Sequence, residues 1–248
     1  MFREPKYQSD KDLAQMDLTE KVFLASSGST IDKIDAFTKF VSRRTLAKFL
    51  VRQEIFHKIL TVNGSIIECG VLNGAGLFTY AHLSAIFEPV NHTRKIIGFD
   101  TFGGFESINE KDLSTGTSSH LSAGGLAGSS LEELQLAIEL FDSNRPLSHI
   151  PKIELVKGDI IKTAPEYLKN NPHLVVSLLY LDLDIYSPTK VALETFLPRM
   201  PKGAIIVFDE LNTQSFPGET LAVDEVLGLR NLKIERFTID PYISYCVL

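Results

Sequence analysis

The chain has 248 residues, is 44% hydrophobic and 23% charged, and carries a formal net charge of −6. That length can bury a sizeable core, and the acidic balance excludes a broad nucleic-acid surface, because duplex binding is driven by Lys and Arg on phosphates. The opening MFREPKYQSDKDLAQMDLTE is too polar for a signal peptide, and aspartates break the run LVVSLLYLDLDIY short of the roughly 20 apolar residues of a membrane span, so a cytoplasmic protein without a membrane partner is expected.

Cys69 and Cys246 lie in apolar, strand-like runs with no spacing motif, the pattern of reduced thiols rather than of a disulfide framework or zinc cluster. Residues 1–60 read as helical: Ile31, Ile34, Phe37, Phe40 and Val41 recur at helical spacing, as do Leu46, Phe49, Leu50, Ile55, Phe56, Ile59 and Leu60. Asn63-Gly64 then punctuates the chain and the period changes. SIIECG (65–70) is a short apolar strand ended by glycine, 74–87 resumes a helix that stops near Pro89, and RKIIGFD (94–100) is a second strand.

Between 103 and 130 the composition turns to Gly, Ser and Thr, too polar for core and long for a connection, which predicts a functional lid or a disordered segment. A short amphipathic helix (131–141), the strand IELVKGD (153–159) and a helix around 164–169 follow, then the strand LVVSLLYLD (174–182). Pro188 occupies a helix-start position before 189–197, GAIIVFD (203–209) is a fifth strand, and a helix is predicted from about 218 to 229. The runs LKIERFTI and YISYCVL are joined only by Asp240-Pro241, so short a link that it predicts a terminal antiparallel hairpin. Strands alternating with helices predict a doubly wound, mostly parallel α/β sheet at 61–248 with the first 60 residues as a helical cap.

Ligands of such sheets bind beyond the carboxyl ends of the strands. Those ends deliver Glu68, Asp100, Asp159, Asp182 with Asp184, and Asp209-Glu210 to one edge. Each acid singly also reads as a cap on the following helix, but capping does not require an acid at every strand end. The turn Gly70-Val71-Leu72-Asn73-Gly74-Ala75-Gly76 lets a ligand approach backbone amides, or else permits tight strand–helix packing. Its spacing is not the G-x-G-x-x-G dinucleotide pattern. Asp100, about 30 residues later, stands where a carboxylate accepts ribose hydroxyls. If the strands ending at Asp182 and Asp209 are neighbours, their carboxylates converge with no Lys or Arg immediately beside them, and all-oxygen ligands suit Mg²⁺ or Mn²⁺. The alternative leaves Asp184 in solvent and pairs Glu210 with a distant Arg.

IIECGVLNGAG, IIGFDTFGGF, LYLDLDIYSPTKVAL and PKGAIIVFDELN, from about Arg43 to Asn212, resemble the macrocin O-methyltransferase family. The resemblance implies a class I methyltransferase (Rossmann-like) fold, a seven-stranded sheet with a terminal antiparallel hairpin, and S-adenosylmethionine-dependent, Mg²⁺-dependent transfer of a methyl group to a sugar hydroxyl. It implies a cofactor set of Glu68, Gly70, Asn73, Asp100, Thr101, Asp159 and Asp182, with Asp100 at the ribose and Asp159 near the adenine. It also implies Asp182, Asp209 and Glu210 as metal ligands, Asp184 as general base, a small-molecule sugar-containing acceptor and assembly as a homo-oligomer. The family more often has Asp-Asp where this chain has Asp209-Glu210, and an aromatic and a basic residue where Leu72 and Asn73 stand. His120, in the Gly/Ser loop, reads as a second base or as a solvated loop histidine. Rival readings are a nicotinamide-dependent sugar oxidoreductase, which lacks its glycine fingerprint here, and a cofactor-binding homologue without activity.

Overall fold

Parallel strands covered on both faces must be apolar at nearly every position, and the central strands meet that demand. In the computed structural model, which describes residues 9–248, β1 (Ser65–Cys69), β4 (Val176–Leu181) and β5 (Ile205–Phe208) are buried throughout. With β2 (Ile96–Asp100), β3 (Ile153–Lys157), β6 (Glu235–Arg236) and β7 (Ser244–Val247) they form one seven-stranded sheet in the order β3-β2-β1-β4-β5-β7-β6. β1 to β5 run parallel; β7 is antiparallel to β5, and β6 to β7. β4 and β5 are neighbours in the register Leu181 opposite Phe208, so Asp182 and Asp209 leave adjacent strand ends.

Alternation along the strands sends side chains to two cores. Ile66, Leu178, Tyr180 and Val207 pack with α3 (Arg43–Ile59), α4 (Ala75–Phe87) and α5 (Leu131–Asp142). Ile67, Leu179, Leu181 and Phe208 pack with α6 (Ile160–Asn170), α7 (Tyr186–Phe196) and α8 (Pro217–Leu227). Two helices begin earlier than the sequence predicts. α6 starts directly after Asp159, whose side chain accepts from the Ile161 amide at 3.0 Å, and α7 starts at Tyr186 with Pro188 in its first turn, where the missing N–H costs no helical bond. The terminal hairpin is present, but its first strand shrinks to two residues. Phe237 turns into the core, and the buried Asp240 accepts from the amides of Tyr242 and Ile243, both at 2.9 Å, so that the link becomes a built turn.

Two units divide the chain, one ending at Lys48 and the other running from Phe49 to Leu248, so the boundary falls inside α3 rather than at residue 60. Residues 1–8, where the expected cap begins, lie outside the described residues. The first unit contains α1 (Asp10–Ala25) and α2 (Thr30–Asp35), each opened by a capping box, Ser9 with Asp12 and Ser29 with Asp32. No residue of α1 is buried, and Leu18 and Leu24 are 58% and 70% exposed. Among the described residues, no helix is long and apolar enough to cross a membrane.

One buried side chain ties the amino ends of the strands together. Arg94 donates to the carbonyls of Ile59, Val62 and Gly64 and to Ser177 Oγ, and its Nε lies 2.7 Å from Glu88 Oε1. Arg94→Met is expected to destabilise the protein by about 3–5 kcal/mol, the range for removing one partner of a buried ion pair, read as a lower urea midpoint. A midpoint within experimental error of the wild type contradicts this role.

Candidate active site

The carboxyl ends of β1, β2 and β4 open onto a cleft of about 780 Å³, open solvent included, whose wall contains Gly70, Asp100, Thr101, Asp159, Asp182 and Asp184. Gly70 has φ +91°, and a Cβ there would stand 1.9 Å from the carbonyl oxygen of Asp182, so the turn after β1 needs glycine twice over. Asp100 clasps this turn: its Oδ2 accepts from the amides of Val71 (2.7 Å) and Leu72 (3.0 Å), and its Oδ1 from that of Phe102 (2.7 Å). Three bonds take up most of a carboxylate's acceptor capacity of about four. Its first task is thus to hold the cleft floor together.

Non-glycine residues with left-handed backbone gather here as well. Leu72, Leu126 and Asp184, at φ +50°, +55° and +63°, all line the cleft, and Phe102, at +55°, adjoins Thr101. Such conformations cost about 1–3 kcal/mol each and persist where surrounding structure over-determines them.

Glu68, Asn73, Asp209 and Glu210 do not contribute to the cleft wall. Asn73 lies nearby on the turn, where its Oδ1 accepts from Ser129 Oγ at 3.3 Å. Glu68 points to the opposite side of β1 and is 1% exposed. It meets Arg52 beneath Gly76, where a Cβ would collide with Glu68 Oε1 at 1.8 Å and approach Arg52 Nε to 3.2 Å. Gly76 therefore serves packing. Burial pushes the Glu68 carboxyl up to about 8 against the pull of Arg52, with Asp182, Asp209 and Asp100 adding to the rise. Arg52 is buried too; desolvation opposes its charge, but Tyr180, Glu68, Tyr80 and Asp209 outweigh it and hold the guanidinium above its ordinary range. From Arg52 a polar chain runs towards the sheet edge. Its guanidinium lies 3.5 Å from Tyr180 Oη, and Tyr180 donates to Asp209 Oδ1 at 2.5 Å.

Arg52, Tyr80 and Tyr180 escaped the sequence reading because they sit in apolar helical and strand patterns that read as core. Glu219 escaped it as well. This third residue of α8 is fully buried, its Oε1 accepts from the Glu210 amide at 3.1 Å, and its Oε2 has no partner. Burial raises its carboxyl well above the ordinary range, and Glu210, Asp209 and Asp184 raise it further. Strand ends and the first turn of α8 thus assemble a carboxylate cluster at the cleft edge, although among the described residues no three His, Cys, Asp or Glu side chains are grouped closely enough to hold an ion.

The long connection expected as a lid or disorder is anchored at several points. A short 3-10 turn (Glu110–Asp112) buries Asp112, which accepts from the amides of Tyr186 (2.6 Å) and Asn109 (2.8 Å). Lys111 Nζ reaches Tyr186 Oη at 2.7 Å and Glu225 at 2.8 Å. The Ser118 amide donates to the Ser215 carbonyl, Gln214 to that of Thr115, and the Ser129 amide to that of Leu72. The segment supplies Gly104 to Ser107, Gly125 and Leu126 to the cleft wall, whereas His120 does not line it.

The family model for macrocin O-methyltransferases matches residues 30–246. Two solved structures are similar over nearly the whole chain. One, a calicheamicin methyltransferase named CalS11, is 32% identical with a TM-score of 0.91, covering 97% of this chain and 94% of that one. The other, the apo form of CalS11, described as a TDP-rhamnose 3'-O-methyltransferase of calicheamicin biosynthesis, is 30% identical with a TM-score of 0.84, covering 97% and 96%. The O-methyltransferase NovP shares the fold at 21% identity and a TM-score of 0.63, covering 81% of this chain and 79% of that one. No curated protein sequence matches. The sheet is therefore that of a class I methyltransferase, and the expected enzyme class holds.

The Glu68 cluster yields a test that needs no substrate. The folded protein keeps a proton on Glu68 that the unfolded chain, titrating near 4.5, releases, so stability falls as pH rises from about 4.5 to about 8 and levels off above. One proton contributes a slope of at most about 1.4 kcal/mol per pH unit. Urea midpoints across this window are expected to decline more steeply for the wild type than for Glu68→Gln; parallel pH profiles would show that Glu68 does not bind that proton.

Proposed function

The chain belongs to the macrocin O-methyltransferase family, and from that premise we propose that it transfers the methyl group of S-adenosylmethionine to a sugar hydroxyl, with Mg²⁺ or Mn²⁺ at the acidic edge. The acceptor class is a nucleotide deoxysugar or a glycosylated natural product, supported by the TDP-rhamnose activity in the description of the 30% identical relative. The observation that carries the reading is the juxtaposition of two things at one sheet edge. A cleft lined by Gly70, Asp100, Thr101 and Asp159 lies beside carboxylates from β4, β5 and α8.

The cleft residues fit the cofactor, and the acids at its edge are of the chemical class that suits a hard cation, although among the described residues no three are grouped closely enough to hold one. Gly70, Thr101 and Asp159 in the cleft wall, with Asn73 on the turn, would hold the cofactor, and the remaining acceptor capacity of Asp100 would take a ribose hydroxyl. Glu68 serves this set from behind, holding the turn in shape beneath Gly76. The donors at the acidic edge are carboxylates, which suit Mg²⁺ or Mn²⁺, and the unpartnered, buried Glu219 Oε2 among them is a group that a cation satisfies. Asp182, Asp209 and Glu210 would hold the ion, with Tyr180 orienting Asp209 by its hydrogen bond. When bound, the cofactor supplies an electrophilic methyl and the ion lowers the pKa of the acceptor hydroxyl.

The remaining work belongs to side chains and backbone. A sugar hydroxyl is a poor nucleophile at neutral pH, so a base must receive its proton as the bond to carbon forms. Asp184 lines the cleft two residues beyond Asp182, fixed by its left-handed backbone, and is the base in this reading. Apolar wall residues such as Phe105, Leu126 and Leu183 exclude water and restrict the reactants to in-line placement. The exposed apolar side chains of α1 support assembly as a homo-oligomer.

Asp184→Asn is expected to bind S-adenosylhomocysteine like the wild type by calorimetry and to lose about 10²–10⁴ in turnover, the range of general-base catalysis. Unchanged turnover would remove Asp184 from the mechanism. Incubation with labelled S-adenosylmethionine and TDP-rhamnose, other nucleotide sugars and glycosides tests the acceptor class, and EDTA should abolish transfer until Mg²⁺ is restored. Cofactor binding without transfer to any of these sugars counts against the reading.

A further inference from the structure

Asp184 sits at the centre of a three-residue turn. The Ile185 amide donates to the Leu183 carbonyl at 2.7 Å, and Asp184 between them has φ +63°. A γ-turn with positive φ is rare and strained, and it persists where neighbouring structure holds it. This one runs directly into α7, whose flanking residue Ile185 makes no side-chain cap. The first amides of a helix need partners from outside it, and the Tyr186 amide finds one 74 residues away. Asp112 Oδ1 accepts from it at 2.6 Å, while Oδ2 accepts from the Asn109 amide at 2.8 Å, so the carboxylate is fixed at both ends. Asp112 is 1% exposed, and α8 closes over the bond. A Cβ on Gly218 would stand 2.0 Å from Asp112 Oδ1 and 2.5 Å from the Tyr186 nitrogen. The same short turn grips α7 twice more: Asn109 Nδ2 donates to Ser187 Oγ at 3.2 Å, and Lys111 Nζ to Tyr186 Oη at 2.7 Å.

We propose that Asp112 is a positioning residue for methyl transfer: by capping α7 from the connection between β2 and α5, it holds the turn that keeps Asp184 in the cleft wall. The role rests on Asp184 as the base of the proposed function. Only Ile185 separates Asp184 from the anchored amide, so a shift at the start of α7 passes straight into the strained turn. A carboxylate at this end of α7 also has the sign that the helix dipole favours. The segment that carries Asp112 supplies Gly104 to Ser107, Gly125 and Leu126 to the cleft wall as well. One clamp thereby sets the base and the wall opposite the strand ends against the same helix.

The test compares Asp112→Ala and Asp112→Asn with the wild type, each alone and in the Asp184→Asn background. Alanine removes the cap, whereas the asparagine carbonyl still accepts from the Tyr186 amide. Asp112→Ala is expected to lower kcat by about tenfold to 10²-fold, the scale for a misplaced reacting group, with KM and S-adenosylhomocysteine affinity close to wild type. Asp112→Asn should recover most of the lost turnover. In the Asp184→Asn background Asp112→Ala should cost no further turnover, because the two side chains act through one group. A full additional loss in that background overturns the positioning role and leaves Asp184 as the base. Wild-type turnover in Asp184→Asn alone overturns the base and the positioning role together. Amide hydrogen exchange gives a readout that needs no acceptor, since the bond from Ile185 to Leu183 spans Asp184 and does not include Asp112. Protection at Ile185, taken relative to the amides of β4 that report global opening, is expected to fall about tenfold in Asp112→Ala. Gly218→Ala, which crowds the same bond from α8, is a second variant for which the same fall is expected. Wild-type protection at Ile185 in both variants overturns the proposal.

Discussion

Charge gathered at one edge of a sheet is the constraint that the rest of this molecule answers. Parallel strands all finish on the same side, and in this chain they finish on acids, so like charges accumulate where the backbone gives them little room to separate. The protein meets this in three ways. Asp100 and Asp159 spend their charge on backbone amides. Glu68 is held largely neutral at mid pH by burial, over the buried Arg52. Asp209 is steadied by Tyr180, itself within reach of the same guanidinium. Glu219 is enclosed beside Glu210, Asp209 and Asp184, and burial together with these like charges raises its carboxyl well above the ordinary range.

The central strands were legible in the sequence because a parallel strand buried on both faces is written as an unbroken apolar run, and its end as the first polar residue. That same rule located Asp100, Asp159, Asp182 and Asp209 and brought Asp182 beside Asp209. It said nothing about which way a side chain points. Glu68 shares the face of Ile66, which packs with α3 and α4, and it meets Arg52 there instead of reaching the cleft wall. Arg94, Arg52 and Glu219 were invisible for a different reason. Arg94 opens a strand run and the other two stand in helical patterns, positions where solvation of a charged residue is the ordinary expectation, and only the tertiary packing turns them inward. The two-residue β6 was overestimated because LKIERFTI carries strand composition, whereas Phe237 and the Asp240 turn take the chain out of the ladder.

The connection 101–130 shows how composition misleads in the opposite direction. Its glycines and serines suggest freedom, but hydrogen bonds to the segment 213–216, to the start of α7 and to the turn after β1 distribute anchors along it. Burial pushes the Asp112 carboxyl up, while the amides of Tyr186 and Asn109 pull it down, and this buried clamp fastens the segment at its middle. The cleft therefore has a wall in which Gly104, Ser107 and Gly125 alternate with the larger Phe105, Glu106 and Leu126, held from outside. The anchors keep that wall in place beside the strand ends.

The left-handed positions around the cleft carry an implication for engineering. Leu72, Phe102, Leu126 and Asp184 each occupy a backbone conformation that glycine or asparagine adopts with less strain. A stability screen blind to activity will find these sites attractive, because replacing the side chain relaxes the backbone. At Leu72 and Leu126 the same exchange strips an apolar surface from the wall, and at Asp184 it deletes the acid. The molecule thus holds a reserve of thermal robustness that it has not drawn on, located where drawing on it would erase the shape that selects a ligand.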